Sequence, residues 1–140
     1  AIFLFQSCCF AALTIINPSD AGALGLNLLA DPLDAELDII AVHGLDGHWR
    51  KSWTAENGVF WLQDLLPTRV PKARIYSYSH DSRTRGGDVP FTLDISDHGN
   101  ALVSDLTIER GLTATEERPI IFVAHSLGGL IVKSVRKDND

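Results

Sequence analysis

The residues best suited to chemistry lie between positions 119 and 135, which read P-I-I-F-V-A-H-S-L-G-G-L-I-V-K-S-V. Ser126 sits where the hydrophobic pattern changes. Before it, Ile120, Ile121, Phe122 and Val123 form an apolar run suited to a strand buried on both faces. After it, Leu127, Leu130, Ile131 and Val135 recur at helical spacing. A serine at such a junction can be a nucleophile only if the turn is sharp, and a sharp turn needs small neighbours. Ala124 and Gly128 stand two residues to either side, with Gly129 beyond, and His125 completes the approach. The usual pattern for such an elbow is G-x-S-x-G, and alanine takes the first glycine's place here. The turn would lift Oγ of Ser126 out of the sheet. It would also leave the backbone N–H of Leu127 at a helix start, where it can donate to a developing oxyanion. The chemistry implied is acyl transfer through an ester on the serine. The plain alternative is a buried turn serine that caps the following helix.

Acyl transfer needs a second donor aimed at the same oxygen. The run L-D-I-I-A-V over Leu37–Val42 leads straight into His43, Gly44, Leu45, Asp46 and Gly47. Two glycines after a buried strand permit a backbone path close to a ligand. The N–H of Leu45 is the expected second donor. The alternative is an ordinary turn with a solvated His43. No spacing of histidines, cysteines or acids suggests a metal site, and no cofactor is expected.

The composition fits a globular α/β chain. Its 140 residues are 45% hydrophobic and 21% charged, enough for one domain with a core. A net charge of −6 argues against nucleic acid as the main partner. Cys8 and Cys9 are adjacent, so neither a disulfide framework nor a metal site is expected, and a reducing compartment is the default. Residues 1–22 read as an apolar leader and linker. Their first sixteen positions resemble a signal-peptide core without its basic start, or a helix packed on the domain. Residues 23–140 read as the domain proper.

The elements that must position the serine follow from pattern. Strands are expected over 23–29, 37–42, 73–79 and 119–124. Helices are expected over 57–66, stopped by Pro67; over 96–110, capped by Ser96 and closed by Gly111; and from Leu127 onward. Leu102 and Leu106 should face inward, and Gly99 weakens its helix. Trp49 and Trp53, with Arg50 and Lys51 between, are expected to cover the core or line a pocket mouth. Arg69, Lys72, Arg74, Arg83 and Arg85 should form a solvated loop face, with contact to an anionic headgroup as the alternative. Strand–helix alternation predicts an α/β fold: a mostly parallel sheet with flanking helices, ending after the elbow helix. The elbow strand is then expected to leave one apolar edge exposed.

Taken together, V-H-G-L-D-G at 42–47, W-L-Q-D-L-L-P at 61–67 and F-V-A-H-S-L-G-G-L-I-V-K at 122–133 resemble the α/β-hydrolase superfamily. Within it they are most similar to a serine esterase and lipase-like family. That family is related to GPI inositol-deacylase and to phospholipid-remodelling proteins of mitochondria and endoplasmic reticulum. Similar domains stand at the N-terminus of fungal NACHT and ankyrin-repeat proteins. The resemblance implies Ser126 as nucleophile and the N–H groups of Leu45 and Leu127 as the oxyanion hole. His43, Gly44, Gly47, Ala124, His125, Gly128 and Gly129 are supporting motif positions. It further implies an ester or lipid substrate, peripheral membrane association and an intracellular place, cytoplasmic or at a mitochondrial or reticulum membrane. In this superfamily the triad acid and histidine follow the serine. Here all five histidines precede it, and only residues 127–140 follow. His80 and His98 are upstream substitutes that this topology disfavours. The chain is therefore expected to be the N-terminal portion of a longer enzyme, inactive by itself. The competing expectation is a catalytically dead binding or signalling domain ahead of a NACHT or repeat region.

Overall fold

A computed structural model describes residues 3–5, 24–82 and 95–135. Five strands form one sheet: β1 (Phe3–Phe5), β2 (Gly25–Ala30), β3 (Leu37–Val42), β4 (Ala73–Ser79) and β5 (Ile120–Ala124), in spatial order β1-β5-β3-β4-β2. β1, β5, β3 and β4 run parallel, whereas β2 pairs antiparallel with β4. The helices are α1 (Trp61–Asp64), α2 (Leu66–Arg69), α3 (Ile95–Leu112) and α4 (Leu127–Val135). The architecture is the α/β fold with a mostly parallel sheet and flanking helices that the alternation predicts.

Alternation along the central strands divides the core into two layers. Ile40, Val42, Tyr76, Tyr78, Phe122 and Ala124 point to one face, where Leu102 and Leu106 of α3 and Leu127, Ile131 and Val132 of α4 cover them. Ala41 packs on the other face against Trp53, Phe60 and Leu62, and Ile39 and Ile75 pack there with Ala73, Leu29 and Leu66. Because both faces are covered, β3 and β5 carry apolar runs rather than a polar alternation. The chain leaves β3 over one face to reach β4, then crosses the opposite face through α3 to reach β5 on the other side of β3. This reversal puts the topological switch point at the carboxyl ends of β3 and β5, the usual place for a site in such sheets.

Several expectations need correction. The helix expected over 57–66 is two short helices, α1 and α2. Gly58 adopts φ 85° and Phe60 bridges Thr54, so the first residues cannot be helical. Pro67 does not end the helix; it sits in the first turn of α2, where its missing N–H leaves no bond unmade. α3 starts at Ile95, so Ser96 lies inside it, and it runs past Gly111 to Leu112. The left-handed turn after it falls on Ala114, at φ 51°. Gly99 is helical and buried; a Cβ there would lie 2.2 Å from Ser134 Oγ, so α3 and α4 meet closely at this point. The apolar edge expected on β5 is absent, because β1 pairs with it from Phe3↔Phe122 to Phe5↔Ala124. The other residues of 1–22, with Cys8 and Cys9, lie outside the described residues, as do Arg83 and Arg85.

Arg74 is not part of a solvated face. It is 2% exposed and donates through Nε and Nη2 to both carboxylate oxygens of Asp38, each at 2.9 Å. Arg118 approaches the same carboxylate at 3.2 Å and Arg110 at 3.5 Å. Thr113 and Thr115 accept further donors from Arg74. This ion cluster ties the amino ends of β3 and β4 to the segment that enters β5. Lys72 pairs with Glu36 at the surface.

Candidate active site

Ser126 occupies the junction between β5 and α4 with φ 51°, the left-handed region that a non-glycine residue enters at a cost of about 1–3 kcal/mol. Its side chain is exposed. Two tight turn bonds hold the bend: Gly128 N–H to the His125 carbonyl and Gly129 N–H to the Ser126 carbonyl, each at 2.9 Å. Ala124 is buried as the last residue of β5, and His125 extends the ladder by donating its N–H to the Val42 carbonyl at 3.1 Å. A serine turned inward to cap α4 is excluded by this exposure.

Glycine at 128 is required by packing. A Cβ there would meet the carbonyl oxygens of Val42 at 2.2 Å and His43 at 2.7 Å. The first turn of α4 therefore rests directly on the backbone that leaves β3. On the opposite side of the bend, a Cβ at Gly44 would lie 2.9 Å from the Cβ of Ser126 and 3.0 Å from the His125 carbonyl. The two motifs, with Gly44 and Ser126 82 positions apart, thus touch through a missing methyl group.

The His43–Gly47 loop is folded on itself. The Gly47 N–H donates to the Gly44 carbonyl at 3.1 Å, and Asp46 takes φ 52° between them. A Cβ at Gly47 would lie 2.7 Å from His43 Nδ1. His43 is 1% exposed, which excludes the solvated alternative. Its Nδ1 lies 2.9 Å from the Gly44 carbonyl, so this nitrogen carries the proton. The His80 N–H points to its Nε2 at 3.4 Å. Burial, reinforced by the neighbouring His80, pushes the His43 pKa down to about 4. The His80 ring stacks on it at 4.1 Å and donates from Nε2 to the His43 carbonyl at 2.9 Å. Burial also lowers the His80 pKa. Both rings are thus neutral loop struts at pH 7. His98 meets His80 edge-on, with centroids 5.3 Å apart.

Among the described residues, no acceptor takes the backbone N–H of Leu45 or of Leu127. Leu45 is exposed in the loop, and Leu127 is the first residue of α4. A strained, exposed serine with one uncommitted amide donor at the next residue and another on the adjoining loop is the kind of arrangement that acyl transfer uses, once a base takes the hydroxyl proton. Among the described residues no cluster of three or more metal-ligating side chains occurs, and no helix is long and apolar enough to cross a membrane. Pattern reading placed His80 and Ser82 in a polar loop, weighed His80 only as a substitute base and gave Ser82 no role. The signal available was their position just past the carboxyl end of a parallel strand.

Comparison with known proteins gives one relevant similarity. Protein SERAC1 from Danio rerio is 29% identical over an alignment of 118 residues, spanning 72% of this chain and 18% of that protein. The chain thus corresponds to under a fifth of its relative's length. No family model matches. No solved structure matches.

Proposed function

We propose that this chain is the nucleophile-bearing part of a serine hydrolase that cleaves ester bonds, with lipids as the substrate class. Ser126 attacks the ester carbonyl, and the alcohol leaves as the acyl group passes to Oγ. The N–H groups of Leu45 and Leu127 receive the negative charge on the carbonyl oxygen. Water then releases the acid. The proton of Ser126 must be taken by a base, and neither His43 nor His80 is placed for it, since both ring nitrogens of His43 and Nε2 of His80 serve the loop backbone and Nδ1 of His80 is buried. The base and its orienting acid belong to the longer protein, in the order acid then histidine.

The observation that carries this reading is the positive φ of an exposed Ser126, held at the end of β5 in contact with the Gly44 loop. Strain at one polar, exposed residue, with a small-residue cradle around it, is how a fold keeps a nucleophile presented. The similarity to SERAC1 supports the lipid side of the proposal only as far as the 72% of this chain it spans. Hydrolysis of p-nitrophenyl esters by the full-length protein tests the reading. Turnover that disappears in Ser126→Ala is expected. Turnover unaffected by that substitution, or absent in the wild type, would leave the binding or signalling role in its place.

A further inference from the structure

Three segments meet beside Gly44, and the third has no role in the reading above. β4 ends at Ser79, and the chain continues through His80, Asp81 and Ser82 alongside the His43–Gly47 loop. His80 Nε2 donates to the His43 carbonyl at 2.9 Å. Ser82 Oγ donates to the Gly44 carbonyl at 3.1 Å, and the Ser82 carbonyl accepts the Asp46 N–H at 3.0 Å. His80 and Ser82 are 7% and 1% exposed. The carbonyls of His43 and Gly44 and the N–H of Asp46 are therefore each bonded to this one short segment.

The Gly44 carbonyl is the centre of the arrangement. It accepts from His43 Nδ1 at 2.9 Å, from Ser82 Oγ at 3.1 Å and from Gly47 N–H at 3.1 Å. A carbonyl oxygen has two lone pairs, so three donors saturate it. No peptide bond in the described chain is cis. In a trans peptide the N–H points opposite to the C=O of the same plane. Fixing the Gly44 carbonyl inward therefore fixes the Leu45 N–H outward, on the side away from Ser82. Glycine at 44 would otherwise let this plane rotate with little resistance.

We propose that His80 and Ser82 are positioning residues that lock the Gly44–Leu45 peptide plane, and so hold the Leu45 N–H as an oxyanion donor. The proposal rests on the hydrolase reading. It adds that the aim of this donor is set from the segment after β4 as well as from within its own loop. His80 has a second duty: stacked on His43, it keeps that ring's Nδ1–H on the Gly44 carbonyl. Neither residue touches the substrate in this scheme. Removing Ser82 Oγ frees one of three restraints, and misplacing a reacting group by about 1 Å costs up to about a hundredfold in rate.

The test uses the full-length protein and an alkyl fluorophosphonate, whose phosphoryl oxygen occupies the oxyanion position once the serine has displaced fluoride. Second-order labelling rates are compared for wild type, Ser82→Ala, His80→Leu, His80→Gln and Ser126→Ala. Ser82→Ala and His80→Leu are expected to slow labelling about tenfold, with the same fall in kcat for p-nitrophenyl butyrate and an unchanged KM. His80→Gln keeps an N–H donor near the Nε2 position and should recover most of the rate. Backbone hydrogen exchange at Asp46 and Gly47 should rise in Ser82→Ala, a readout independent of activity. Labelling of Ser82→Ala at the wild-type rate, with Ser126→Ala unlabelled, would overturn the proposal and leave the hydrolase reading standing. A wild type that does not label would remove both.

Discussion

Substituting one methyl group for hydrogen at Gly128 should separate the demands of helix stability from those of the elbow. Alanine is favoured over glycine in a helix by up to about 1 kcal/mol, so propensity alone predicts stabilisation in α4. The new Cβ, however, would lie 2.2 Å from the Val42 carbonyl oxygen and 2.7 Å from that of His43. Ordinary contact needs about 1 Å more, and both obstacles are backbone atoms at the end of β3. They cannot retreat freely, because the Val42 carbonyl accepts the His125 N–H. Overpacking of this kind costs about 1–3 kcal/mol, and the weakened hydrogen bond adds about 1 kcal/mol. The clash wins, and Gly128→Ala should destabilise by about 2 kcal/mol. Gly111→Ala is the matched control, since it lies in α3 with only the far end of Glu116 at 3.9 Å. It should stabilise by about 0.5–1 kcal/mol. Urea midpoints of the two variants at constant slope decide the matter. A Gly128→Ala midpoint equal to or above wild type would refute the close packing of the elbow helix on β3.

Further outcomes follow from other parts of the structure. Ser126→Gly removes the strain of φ 51° and should raise stability by about 1 kcal/mol while abolishing fluorophosphonate labelling, measured by denaturation and gel fluorescence. Asp38→Ala leaves the buried Arg74 guanidinium without its carboxylate and should cost about 3–5 kcal/mol, read as a loss of urea midpoint. His43 binds its proton near pH 4 when folded and near 6.5 when unfolded. Between those values the unfolded chain holds the extra proton, so stability rises with pH across this window and levels off above it. The contribution between pH 5 and 7.5 is about 2 kcal/mol, and a His43→Gln variant should show a correspondingly flatter pH profile.

Much of the layout is legible in residue pattern. Leu37–Val42 and Ala73–Ser79 emerge as strands with their observed ends, the first from its apolar run in a sheet covered on two faces and the second from its alternating, β-rich residues. The break between Ala124 and Leu127 is equally plain, since hydrophobic period changes there from strand to helix. What pattern does not carry is partnership between distant segments. Nothing near Gly25 announces an antiparallel edge, and nothing in Phe3–Phe5 announces a parallel partner for β5. Arg74 reads as one of several surface cations until Asp38 is placed beside it, 36 positions away in sequence. The split at Leu65 escapes notice because Val59, Leu62 and Leu66 keep helical spacing while Gly58 and Phe60 impose a turn. At the candidate site, the small residues around Ser126 and Gly44 can be found from spacing. The struts from His80 and Ser82 cannot, because their hydrogen bonds run to backbone carbonyls and leave no side-chain signature.

The central claim is that the hydroxyl of Ser126 is a presented nucleophile. It is tested most directly by treating the full-length protein with a fluorophosphonate and locating the adduct by peptide mass spectrometry. A single phosphonyl group on Ser126, absent in Ser126→Ala and when the protein is denatured before treatment, is the predicted result. An unmodified Ser126, with the protein folded and the reagent in excess, would contradict it.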